Sequence, residues 1–206
     1  MINIKKTVGL MGVNCYILGD KNEAIIVDPG SDAEGIVKTL DDNKITAKFI
    51  VLTHCHFDHI MAVEQLIEKL SVKLIACQKE KNNLLDSSVN YTDRYSRKPV
   101  ELIADIYVSD GDTVSSGLYE FKVIETPGHT VGSMCLYCEK ENLLISGDTL
   151  FYASVGRCDL ATGNEEKLVE SIKTKLFTLP DDVAVLPGHG ENTKIGFEKM
   201  NNPYIY

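Results

Sequence analysis

The chain has 206 residues and a mass of 22.8 kDa, with 44% hydrophobic and 25% charged residues and a mean hydropathy of −0.07. At that length roughly 70% of the unfolded chain's surface can be buried without a metal or disulfide staple, and the composition excludes collagen-like, disordered and disulfide-scaffold proteins. Thirty acidic against 21 basic residues give a net charge of −9, a field that repels phosphate backbones, so no nucleic-acid partner is expected.

Near the N-terminus, Lys5-Lys6 precede an apolar run over 8–18 that glycine and asparagine interrupt. No small-residue cleavage site precedes Asp20 and no run reaches ~18 apolar residues, so a soluble cytoplasmic protein with no membrane partner is expected. Short β-branched or aromatic runs bounded by Gly, Pro, Asp or Asn predict strands over 15–18, 24–27, 48–52, 73–76, 121–126, 133–137, 143–146 and 183–186. Helical spacing is found over 32–42 (apolar at 33, 36, 37 and 40), 58–70 (60, 63, 66, 67 and 70) and 165–177 (168, 169, 172 and 176). Strands alternate with helices, no repeat or low-complexity linker divides the chain, and a single mixed α/β domain over 1–206 is expected. Residues 87–99 are polar and aperiodic, with three positive charges against one negative. They read either as a solvated loop or as a flap whose Tyr91, Arg94, Tyr95 and Arg97 could meet an anionic substrate.

Six cysteines are scattered along the chain, and only Cys135 and Cys138 are close. They lie in a strand-like run with no second CxxC, and residues three apart on a strand face opposite ways, so free thiols in a reducing compartment are expected.

The five histidines carry the chemistry. Three form His54-Cys55-His56-Phe57-Asp58-His59 directly after a predicted strand. At this histidine content the HxHxxH spacing arises by chance about 0.003 times per chain. Residues i and i+2 of an extended segment point the same way, so His54 and His56 can grip one metal while Cys55 packs inward. Asp58 and His59 fall where a helix begins and can aim at a neighbouring position. His129 and His189 sit in the Pro-Gly-His turns 127–129 and 187–189, each after a strand, and Asp148 follows another strand in Ser-Gly-Asp-Thr. His54, His56, Asp58, His59, His129, Asp148 and His189 are too many donors for one four-coordinate ion. They suit two divalent ions ~3.5–4 Å apart with a carboxylate between them. Zinc is the first expectation, with iron or manganese as alternatives.

The segments 14–18, 27–30, 53–59, 126–133, 147–151 and 187–189 together resemble the metallo-β-lactamase superfamily over nearly the whole chain. The resemblance implies a four-layer αββα sandwich with metals at one edge. It assigns His54, His56 and His129 to the first metal, Asp58, His59 and His189 to the second, and Asp148 as the bridge. Asp28 would be a carboxylate supporting the histidines, or simply part of an Asp-Pro-Gly turn. His59 and the bridging Asp148 argue against the β-lactamases that place a cysteine in the metal site. The run 147–151 followed by Gly156-Arg157-Cys158-Asp159-Leu160 looks most like the glyoxalase II group, hydrolases of acylglutathione thioesters. It is also similar to persulfide dioxygenases, in which one iron would sit on His54, His129 and Asp148. Only 17 residues follow His189, so the C-terminal glutathione-binding domain of full-length glyoxalase II is not expected, and Glu191 replaces a glutathione-contacting tyrosine.

The leading expectation is therefore a metal-dependent hydrolase of a small-molecule thioester, with a hydroxide held between two ions as nucleophile, Asp58 orienting it, and Arg157 binding a substrate anion. The alternatives are the iron dioxygenase, a lactone or phosphodiester hydrolase, and a metal-binding module without catalysis.

Overall fold

The computed structural model describes residues 1–205. The first sheet contains β1 (Ile2–Val8), β2 (Val13–Gly19), β3 (Glu23–Val27), β4 (Thr46–Leu52), β5 (Lys73–Cys77) and β6 (Ile106–Val108), in that spatial order. β1, β2 and β3 form an antiparallel meander, and β3 through β6 run parallel. Parallel neighbours need crossovers. The crossovers on this face are α1 (Ala33–Asn43), between β3 and β4, and α2 (Phe57–Ile60) with α3 (Val63–Leu70), between β4 and β5.

The segment after β5 contains α4 (Thr92–Tyr95). The second sheet is built from β7 (Thr113–Ser116), β8 (Tyr119–Glu125), β9 (Met134–Cys138), β10 (Leu143–Gly147), β13 (Ala184–Pro187) and β14 (Thr193–Lys194), ordered β14-β13-β10-β9-β8-β7. A small ribbon, β11 (Leu150–Phe151) with β12 (Ser154–Val155), follows β10, and α5 (Glu165–Thr174) and α6 (Ile195–Asn201) cover the outer face.

Strand periodicity explains the layering. Tyr16, Leu18, Ile25, Val27 and Val51 face Phe121, Val123, Leu136 and Ile145 across the sandwich. The alternate positions Ile17, Ile26 and Ile50 pack on Ile36 and Leu40 of α1 and Val63 and Leu66 of α3. On the far side Leu144 and Val185 pack on Leu168 and Ile172 of α5. Strands buried on both faces read as continuous apolar runs, as β2 does, and the result is the expected αββα stack. Cys135 faces the outer layer and Cys138 the inner one, as strand alternation requires.

The expected helix over 58–70 is broken. The Ala62 amide donates to Pro29 O at 3.0 Å instead of continuing the ladder, and Gly30 lies against the Asp58 carbonyl so closely that a side chain there would collide with it. The turn after β3 thus wedges into the helix and splits it. The strands β1, β6, β7, β11, β12 and β14 and the helices α4 and α6 were not expected, being short, polar or at sheet edges.

Residues 87–99 are more ordered than a solvated loop. Asn90 and Thr92 are buried, Asn90 Oδ1 accepts from the Thr92 amide at 2.9 Å, and the Val100 amide donates to Thr92 Oγ1 at 3.0 Å. Among the described residues no helix is long and apolar enough to cross a membrane.

Candidate metal centre

The seven predicted donors all follow the C-terminal ends of strands. His54, His56, Asp58 and His59 come after β4, His129 after β8, Asp148 after β10 and His189 after β13. Those strands run the same way within each sheet, so their ends meet at one edge of the sandwich. There the two sheets are joined by the Met134 amide donating to Thr53 O at 2.9 Å and the Asn14 amide donating to Gly188 O at 2.7 Å.

The donors fall into two adjoining sets. His129 Nε2 lies 3.2 Å from His54 Nε2 and 2.8 Å from His56 Nδ1. Asp58 Oδ2 lies 3.1 Å from His189 Nε2 and 3.8 Å from His59 Nε2. Asp148 reaches both sets, with Oδ1 3.5 Å from His59 Nε2 and Oδ2 3.6 Å from each of His129 Nε2 and His189 Nε2. Two ligands of one tetrahedral ion with bonds near 2.1 Å stand about 3.4 Å apart, so these separations are those of a first coordination sphere.

Hydrogen bonds on the far side of the rings set the tautomers. Arg157 O can only accept, so His129 Nδ1 donates to it at 2.7 Å and leaves the Nε2 lone pair facing inward. Asp28 Oδ2 accepts from His59 Nδ1 at 3.0 Å and from Thr53 Oγ1 at 2.7 Å. Because the Thr53 hydroxyl proton is engaged with Asp28, Thr53 Oγ1 accepts from His54 Nδ1 at 3.1 Å. In His54, His59 and His129 the outer Nδ1 thus carries a proton and Nε2 is the atom turned to the centre, and Asp28 is more than a turn residue.

Residues outside the donor set hold the turns. Asn14 Nδ2 donates to Pro187 O and Gly190 O, each at 3.0 Å, and Tyr16 OH donates to Pro187 O at 2.8 Å, fixing the turn that carries His189. Behind His129, buried Glu80 accepts from Thr130 Oγ1 and, at 2.7 Å, from Asn83 Nδ2. Asn14 and Tyr16 lie in a recognised motif, whereas nothing in the sequence marks Glu80.

Burial and the neighbouring imidazoles hold His54 well below the ordinary imidazole value and bring His56 down to about 3. Both are neutral, as ligation requires. At His59 burial acts against charge, but the carboxylates of Asp148, Asp58 and Asp28 outweigh it and lift the pKa well above its usual value. Burial likewise opposes charge at Asp148, yet His59 and its neighbours hold that carboxyl ionised. The second set thus calls for positive charge at its centre. His59 Nε2 and Asp148 Oδ1 are fully buried with no hydrogen-bond partner, so the protein itself leaves these two atoms facing the cluster unsatisfied. The donor set fits a pair of divalent ions.

The centre opens into a cleft of about 550 Å³ whose walls include Met11, Phe57, Tyr91, Tyr95 and Phe151. Arg157 lines it too, but Nε and Nη2 donate to the two Asp159 oxygens, each at 2.7 Å, and that pairing raises the guanidinium pKa further. The flap over 87–99 reaches the same cleft through Tyr91, Arg94 and Tyr95, while Arg97 is exposed and does not line it.

Comparison with known proteins agrees with this architecture. The chain is 37% identical over 199 residues to the probable metallo-hydrolase YqgX of Bacillus subtilis, covering 96% of this chain and 94% of that one. It is 31% identical over 195 residues to the hydroxyacylglutathione hydrolase GloC of Haemophilus influenzae, covering 93% and 92%. Among solved structures, BLEG-1, described as a B3 metallo-β-lactamase, superposes with a TM-score of 0.93 at 37% identity over 99% of both chains. TTHA1623 in a di-iron-bound form superposes with a TM-score of 0.89 at 28% identity over 98% of this chain and 100% of that one. The sequence model of the metallo-β-lactamase superfamily matches residues 8–189, and the chain belongs to that superfamily.

Proposed function

We propose that the protein is a dinuclear metallohydrolase that cleaves a small-molecule acyl thioester. His54, His56 and His129 would hold one ion, Asp58, His59 and His189 the second, and Asp148 both. The observation that carries this reading is the position of Asp148, one carboxylate within 3.6 Å of nitrogen donors from both sets. A mononuclear iron site on His54, His129 and Asp148 would leave the Asp58, His59 and His189 cluster without a role.

When bound, two such ions supply a Lewis acid for the carbonyl and a water of lowered pKa. The chain's own part is to hold the donors in place. Asp28, Thr53 and the Arg157 carbonyl fix the ring tautomers, and Asp58 at the first turn of α2 stays ionised against burial through His59 and the His189 hydrogen bond. The aromatic walls of the cleft exclude water from the acyl group. A thiolate leaves with a parent pKa near 8.5, so no protein acid has to protonate it. The likeness to a hydroxyacylglutathione hydrolase supports the thioester, and the di-iron-bound likeness supports two metal positions.

The test is anaerobic hydrolysis of S-lactoylglutathione by zinc-loaded protein. Zinc has no accessible second oxidation state, so a zinc-loaded dioxygenase is inert whereas a zinc hydrolase is active. Oxygen uptake with glutathione persulfide, or cephalosporin hydrolysis, without any anaerobic thioester cleavage would overturn the proposal.

A further inference from the structure

Two arginines face the cleft, and they differ in what they are free to do. Arg157 presents one full edge of its guanidinium to Asp159, a bidentate pair of 2.7 Å bonds. A second carboxylate there would compete with Asp159 across a solvent-exposed ion pair. Arg94 has no carboxylate partner among the described residues. Its guanidinium lies 4.7 Å above the ring of Tyr91, a cation–π arrangement.

The platform under Arg94 is rigid. Tyr91 is buried with φ 65°, a left-handed conformation that costs an aromatic residue of order 1 kcal/mol and persists only where its surroundings impose it. Those surroundings are visible. Tyr91 OH accepts from the Ala161 amide at 2.7 Å across the cleft, and its ring sits 5.6 Å from that of His56. Beside it, the ring of Tyr95 stacks on Phe57 at 3.9 Å, and the Phe57 amide donates to Asn90 O at 2.8 Å. The short helix that carries Arg94 is thereby clamped to the helix that carries Asp58 and His59. The same cleft carries the apolar side chains of Met11, Phe57, Phe151, Val155 and Leu160. In a chain of net charge −9, an anion is drawn to this cleft by local positive charge, which Arg94 adds beside the metal-ligand side chains.

We infer that Arg94, seated on Tyr91, is the residue that receives a carboxylate of the substrate, and that the preferred thioesters carry a carboxylate beside an apolar body. The inference rests on the hydrolase reading for its substrate, but binding can be measured without turnover. S-benzyl-3-mercaptopropionic acid and its primary amide are thioethers that cannot be hydrolysed and differ only in charge. Calorimetric titration of the metal-loaded wild type should show tighter binding of the acid than of the amide. A charge-assisted bidentate contact corresponds to about a 10- to 100-fold preference, and Arg94→Ala should abolish it. Arg94 is exposed, so its replacement leaves no buried group unpaired.

No preference in the wild type overturns the inference. So does a preference that survives Arg94→Ala, which would place the carboxylate on the metals, or one that is lost in Arg157→Ala instead. If the acid is preferred through Arg94 while no thioester is cleaved, the carboxylate site stands and the hydrolase reading falls.

Discussion

Asp28 Oδ2 accepts a hydrogen bond from His59 Nδ1 at 3.0 Å, and through Thr53 the same oxygen governs the ring of His54. One buried carboxylate thus orients a donor from each half of the centre. Asp28→Asn keeps the volume but has one acceptor oxygen, so its NH2 must face either the Thr53 amide, which donates to Asp28 Oδ1 at 2.8 Å, or His59 Nδ1 and Thr53 Oγ1. Such supporting partners are worth 10- to 100-fold in metal affinity. We expect a loss of about that size in competition with a chelator, with the circular dichroism spectrum unchanged. Undiminished affinity would show that ring orientation is set by packing alone.

Metal content should be about two ions per chain at neutral pH. Acidification should remove them unequally. His59 and His189 have pKa values raised above the ordinary imidazole value by the adjoining carboxylates, so a proton competes with an ion there. That position should therefore be the first to lose its ion as pH falls, because protons compete most strongly for those two rings. His54 and His56 remain neutral, His56 down to about 3. Elemental analysis across an acid titration should therefore pass through a plateau near one ion per chain. Simultaneous loss of both ions would contradict the asymmetry.

Gly188 is crowded by the site it adjoins. A Cβ there would collide with Asp148 Oδ1 and stand 2.9 Å from His59 Cε1. Gly188→Ala should displace the carboxylate that both sets share, reducing metal content below two per chain and lowering kcat at least tenfold. Overpacking of this kind costs about 1–3 kcal/mol, so the variant should fold with a lowered Tm. Full metal content with normal kcat would mean that the turn can shift at little cost.

The six cysteines should behave as free, mostly inert thiols. Five are buried and Cys158 is half-buried, and burial pushes Cys77 and Cys135 up to about 11. Since the thiolate is the reactive form, a colorimetric thiol reagent at pH 8 should titrate about one group in the native protein and all six after denaturation. Rapid modification of four or more in the native state would contradict this burial.

The sequence alone determined the apolar strand runs, their alternation with helices, and the seven histidine and aspartate side chains that the structure brings together at the sheet edge. These are legible because strand periodicity and histidine spacing are local. In HxHxDH the chain between donors is too short to place them far apart. The distant donors His129, Asp148 and His189 were marked by the same context, a glycine turn after a strand. What is not local had to await the tertiary structure. The helix over 58–70 breaks because the turn after β3, 33 residues earlier in the chain, offers Pro29 O to the Ala62 amide. Glu80 supports the His129 turn from a different loop, across a sequence separation of 50 residues to Thr130. Arg157 and Arg94 look alike as sequence, both basic and both near the motifs. Only the fold shows that Asp159 occupies one and that the other lies over the Tyr91 ring, because the partner of a charge is decided by what packs beside it.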